Sequence, residues 1–158
     1  MNPERLLGRW NGLIAALALI LVGIGSVYSD ATGELLAAQN DGSSVWAGVF
    51  TEEQAQRGMD RYQQECSPCH LDDLLGDGIA PALVGSPFSF RWSDLSVGDM
   101  LVAIRTTMPQ GAPASLSSQA YVDIVSYLLQ RNEFPAGDTE LPTDSDTLDS
   151  ILITEEAP

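Results

Sequence analysis

Cys66-Ser67-Pro68-Cys69-His70 is the stretch on which the reading of this chain turns. It holds both cysteines and the single histidine of the 158 residues. Thiol or imidazole chemistry is therefore concentrated in five consecutive positions. Three ordinary uses of such residues fit poorly. A zinc site takes four ligands, and no second Cys or His cluster exists to complete one. A Cys-x-x-Cys redox disulfide belongs in a βαβ context, which the flanking sequence lacks, and it does not need the following histidine. A purely structural disulfide across two residues is strained.

Covalent attachment of haem c uses all three residues. Two cysteines spaced on one turn can each form a thioether to a vinyl group, and the adjacent imidazole then points at the iron. An iron with one His takes a second axial ligand or keeps an open position. No second His exists, and Met opposite His raises the reduction potential. The methionines are Met1, Met59, Met100 and Met108. Met59 is too near the motif in sequence to reach the opposite haem face, and Met100 reads as a core residue of a helix. Met108 lies between Thr106 and Pro113 in a loop stiffened by Pro109 and Pro113, where no helical constraint directs the side chain. His70 and Met108 are thus the expected iron ligands.

Helical patterns surround the motif. Thr51 can cap a helix running to Glu65, with Glu52 and Glu53 in its first turn and Ala55, Gly58, Met59 and Tyr62 on one face. Residues 76–87 are rich in Gly and Pro and read as mostly loop. A short helix is expected over 97–106. The clearest helix follows Ser115, capped by Ser117 or Ser118, with Tyr121, Ile124, Val125, Leu128 and Leu129 as its apolar stripe and Arg131 in its last turn.

This order of features resembles a class I cytochrome c of the bacterial type. Gly58 and Tyr62 are similar to the family's small and aromatic positions on the first helix, and Tyr127 to the aromatic that meets them from the last. Pro81 resembles the proline whose carbonyl accepts a hydrogen bond from the ligating histidine, a role that would orient His70. Met108-Pro109 resembles the distal ligand motif. The resemblance covers about residues 51–133. It implies an all-α, cytochrome c-like fold of three to four short helices around one haem. Trp92 either donates to a haem propionate, as an aromatic between motif and Met does in relatives, or is a core residue. Arg91 and Arg105 are candidate propionate partners, since Arg is the only cation available and its fork suits carboxylates.

The cytochrome domain is expected over residues 45–134. Before it, residues 10–29 carry no charge and follow Arg5 and Arg9. They read as a transmembrane anchor of about 20 residues or as a signal peptide. Either reading leaves residues 1–9 in the cytoplasm and carries the haem domain across to the periplasmic side. Residues 30–44 read as a flexible tether. Residues 135–158 hold seven acids, no base and three prolines, and read as a disordered acidic tail. Within it, Ile151-Leu152-Ile153 is a small apolar cluster, whose alternative reading is a docking site for a partner.

The whole chain carries 22 acids against seven bases, all Arg, for a formal charge of −15. That excludes phosphate-backbone binding, so no nucleic-acid partner is expected. It suits either plain solubility, including in a salty habitat, or attraction to a basic partner. The function expected is an electron carrier at the inner membrane, catalysing nothing alone. Its partners would be a quinol-oxidising complex, terminal oxidase, photosynthetic reaction centre or dehydrogenase. The alternatives are a cytochrome subunit of a larger redox complex and, with an open iron, a haem gas sensor.

Overall fold

A computed structural model describes residues 44–157. The anchor, most of the tether and residues 1–9 lie outside the described residues. Six α-helices occur among those described: α1 (Glu52–Glu65), α2 (Ser67–His70), α3 (Ser86–Trp92), α4 (Val97–Thr107), α5 (Ser118–Arg131) and α6 (Ser145–Asp149). None of these helices is long and apolar enough to cross a membrane. The described residues are all-α, as expected, but α2, α3 and α6 go beyond the helices that periodicity indicated.

The caps explain where the longer helices begin. The Thr51 hydroxyl accepts from the Gln54 N–H at the start of α1, and the Ser117 hydroxyl accepts from the Ala120 N–H at the start of α5. Helix α4 opens with a reciprocal box: the Ser96 hydroxyl accepts from the Asp99 N–H, and the Asp99 carboxylate accepts from the Ser96 N–H. The Ser96 N–H and hydroxyl, both donating to the Asp99 carboxylate, hold it below the usual carboxylate range.

Helices α1 and α5 form the main crossing. Gly58 lies directly on the α5 backbone, where a β-carbon would run into the Asp123 carbonyl. Tyr62 and Tyr127 pack next to this contact with ring centroids 5.3 Å apart. Arg57 spans the two helices, with Nη2 3.1 Å from Asp123 Oδ1. The positions that sequence reading assigned to helix packing therefore meet.

The acidic tail is not disordered. Leu141, Leu148, Ile151 and Ile153 are each at most 4% exposed and belong to the same core as Val97, Met100, Val125 and Leu129. The folded unit extends from Ser44 to beyond Ile153 instead of ending near Phe134. Four buried aliphatic side chains contribute about 2 kcal/mol each toward holding this strap, residues 135–157, on the core. Backbone pairing adds to this. Val97 N–H donates to the Ile151 carbonyl (2.9 Å), Ile153 N–H to Leu95 (2.9 Å), and Val45 N–H to Leu152 (3.0 Å). The buried Gln54 amide acts as a surrogate strand: its Nε2 donates to the Leu141 carbonyl and its Oε1 accepts from the Leu141 N–H. Glu140 joins through Arg57 at 2.9 Å. At its start the strap touches the backbone of Gly48, and a β-carbon on Gly137 would collide with the Gly48 carbonyl.

Truncating a strap side chain tests this packing. Leu148→Ala is expected to lower the unfolding free energy of the holoprotein by about 3 kcal/mol in urea titrations. A change below about 0.5 kcal/mol, as for an exposed site, would contradict it.

Candidate functional site

The end of α1 delivers the motif. Cys66 closes α1 by donating its N–H to the Tyr62 carbonyl, and the single turn α2 then carries Cys69 and His70. His70 N–H bonds the Cys66 carbonyl at 2.9 Å, so the motif is one tight helical turn. Both thiols are free. Burial, with some help from Glu65, pushes the Cys66 thiol up to about 11. Such a thiol is a weak nucleophile at neutral pH, unlike the low-pKa thiols of disulfide oxidoreductases.

Residues 71–85 fold back over the histidine. The Leu83 N–H donates to the Leu74 carbonyl and the Gly76 N–H to the His70 carbonyl. Gly76 has φ +71°, and a β-carbon there would strike the Ala80 carbonyl, so the loop closes only around glycine. The Asp77 carboxylate accepts from the N–H groups of Ala80 (2.8 Å) and Ile79 (2.9 Å). The result places the Pro81 carbonyl 2.9 Å from His70 Nδ1. With Nδ1–H donating there, Nε2 is left with its lone pair free to bind a metal. Asn132, just beyond α5, secures the far end of the loop: its Nδ2 donates to the Leu83 carbonyl and its Oδ1 accepts from the Gly85 N–H.

A cavity of about 740 Å³ opens against this turn. Cys66, Cys69, His70, Pro81, Trp92 and Met108 all line it, although they come from four different segments. Its walls are largely apolar, with Leu83, Phe88, Ile104, Ile124 and Leu128 among them. The size lies within the ~300–1,000 Å³ typical of cofactor sites. Free thiols, an oriented imidazole, a thioether and apolar walls are a donor set that fits haem c.

Two expectations change in detail. Arg105 is exposed and lies outside the lining; Arg91 lines the cavity instead, its guanidinium 4.8 Å from the Trp92 ring. Helix α4 turns Ile104 and Ala103 inward and so carries Arg105 away. Met100 also lines the cavity while being 1% exposed within the core. Trp92 is a core residue that also lines the cavity.

Residues 53–128 match the family model described as cytochrome C oxidase, cbb3-type, subunit III. This stretch is a class I c-type cytochrome domain. Neither the curated proteins nor the solved structures gave a match. The matched residues run from the first turn of α1 to Leu128 on α5, so they enclose the motif, the loop and Met108. A cytochrome domain of this class implies haem c and electron transfer through it.

Sequence reading did not single out Asp77, Asn132 or a functional role for Tyr121. Asp77-Gly78 did carry a turn signal, but the other two sit among ordinary helix and cap residues. Tyr62, by contrast, was read as a packing residue and proves also to donate its hydroxyl to the Leu71 carbonyl at 2.7 Å. Burial raises the Tyr62 phenol well above its ordinary value, so it stays protonated as that donor.

The Asp77 carboxyl is held below its ordinary 3.8 by the Ala80 and Ile79 N–H groups. A lowered folded-state value means that its stabilising contribution is complete above the ordinary value. It is lost as pH falls through the lowered one. Urea unfolding of native and Asp77→Asn holoprotein, from about pH 5 down to about pH 2, is expected to show the native advantage shrinking toward the acid end. Parallel curves would contradict the role given to this carboxylate.

Proposed function

We propose that the chain is a membrane-tethered carrier of single electrons that holds one covalent haem c. Cys66 and Cys69 form the thioethers. His70 and Met108 are the axial ligands. When bound, haem supplies a one-electron iron couple. The observation that carries this reading is the convergence of Cys66, Cys69, His70 and Met108 on one largely apolar cavity. His70 presents Nε2 because Pro81 takes Nδ1–H. Leu83, Phe88, Ile124 and Leu128 exclude water from the cavity. Arg91, which lines the cavity beside Trp92, would pair with a propionate.

A His/Met pair leaves no open iron position, so the domain has no substrate site of its own and does not sense gases. Residues 10–29 anchor it in the inner membrane with the haem domain on the periplasmic side. Residues 30–43 give it reach, which raises its effective concentration near membrane redox complexes. Electron donors and acceptors are then a quinol-oxidising complex, terminal oxidase, reaction centre or dehydrogenase. The description of the matching family as an oxidase subunit favours a second reading, a stable subunit of a terminal oxidase complex. Co-purification with a larger catalytic chain would distinguish that reading from a mobile carrier.

Optical spectra of the matured protein test the ligand pair. The native protein is expected to be low-spin, to show the weak far-red iron–sulfur band and to ignore carbon monoxide when reduced. Met108→Ala should lose the band and bind carbon monoxide, whereas Met100→Leu should keep the band. A high-spin native haem, or loss of the band in Met100→Leu alone, would overturn the assignment of Met108.

A further inference from the structure

The segment that carries Met108 is short and irregular. Met108 ends α4 in an extended conformation, φ −128° and ψ 150°, and its N–H donates to the Ile104 carbonyl. The chain then turns through Pro109, with the Ala112 N–H on the Pro109 carbonyl at 2.8 Å, and returns so that Ala114 N–H meets the Arg105 carbonyl at 2.9 Å. All of these bonds are local to α4 and its own loop. From a different element, the Tyr121 hydroxyl of α5 donates to the Met108 carbonyl at 2.8 Å. Among the described residues it is the one side-chain hydrogen bond that reaches residues 108–114 from another element. Tyr121 is 1% exposed and sits one turn before Ile124, which lines the cavity.

We propose that Tyr121 is a positioning residue for the distal ligand, a role that rests on Met108 being that ligand. Methionine is flexible, with three rotatable bonds and a weakly basic sulfur. Its hold on a metal depends on how little freedom remains in the backbone that presents it. The N–H of Met108 is fixed to α4, and the phenol fixes its carbonyl to α5. Both backbone polar groups of the ligand residue are thereby fixed, and Sδ starts from a restricted set of positions. On the other face, the Tyr62 hydroxyl holds the Leu71 carbonyl, next to His70, in the same manner. The two helices of the main crossing thus each contribute one buried phenol to the backbone at an axial ligand.

The test is competition at the iron. Imidazole can bind oxidised haem only in the fraction of molecules whose Met108 sulfur has left the iron. Its apparent affinity therefore reports how firmly the sulfur is held. Tyr121→Phe removes one oxygen and keeps the ring. It is expected to raise imidazole affinity roughly five-fold, the equivalent of one neutral hydrogen bond. Tyr127→Phe, on the same helix, is expected to leave imidazole affinity unchanged. Thermal unfolding of both variants separates stability from ligation, because a purely structural hydroxyl would lower the melting temperature without changing imidazole affinity. Native-like imidazole affinity in Tyr121→Phe, with the far-red band intact, would overturn the positioning role while leaving Met108 as ligand. A native protein that lacks the band and binds imidazole without competition would overturn the ligand assignment and this role together.

Discussion

At Gly58, helix Glu52–Glu65 lies so close to helix Ser118–Arg131 that there is no room for a methyl group between them. Much of the molecule is measured from that contact. The first helix ends at the cysteine motif, so its position sets where Cys66, Cys69 and His70 begin. The second presents Ile124 and Leu128 to the cavity and Tyr121 to the Met108 carbonyl. Backbone-to-backbone contact fixes the separation of the two helices more firmly than long side chains would, because side chains can change rotamer and a backbone cannot. Tyr62 against Tyr127, and Arg57 against Asp123, then prevent the helices from rotating about that point.

The strap is the second constraint. It ties the first described residue to the start of α4: Leu152 bridges to Ser44 on one side and to Ser96 on the other. Ser96 caps the helix that ends at Met108, so the strap reaches the distal side of the cavity through the start of that helix. Asp149 lies against Gly98, where a β-carbon would force the Asp149 carboxylate to move. The strap closes the core of a small domain that has little apolar surface to spare, complementing the cavity walls on the opposite side of the helix.

Local chemistry was legible in the sequence, and long-range pairing was not. The Cys-x-x-Cys-His motif is read within five residues, and the three long helices announced themselves through Thr51, Ser117 and apolar stripes. Pro81 was found by resemblance, and its carbonyl does face His70. The strap was missed because Leu141, Leu148, Ile151 and Ile153 are scattered among acids. Each finds its partners tens of residues away, so no window of sequence shows the burial. Arg91 and Arg105 were both candidates, and only Arg91 lines the cavity, because composition does not reveal helix phase. The helix Ser86–Trp92, which brings Arg91 and Trp92 to the cavity, was hidden in a run of Ser, Pro and Phe with no clear period. Asn132 and the Tyr121 hydroxyl act on carbonyls, and carbonyls are the same at every residue.

The central claim is that Cys66 and Cys69 hold one haem covalently at this cavity. It is tested most directly by the intact mass of the protein matured in a host competent for c-type haem attachment, measured after acid–organic extraction. A mass increased by one haem, absent when both cysteines are replaced by alanine, is the expected result. A chain that gives up its haem to the extraction, or that never acquired one under those conditions, would contradict the claim.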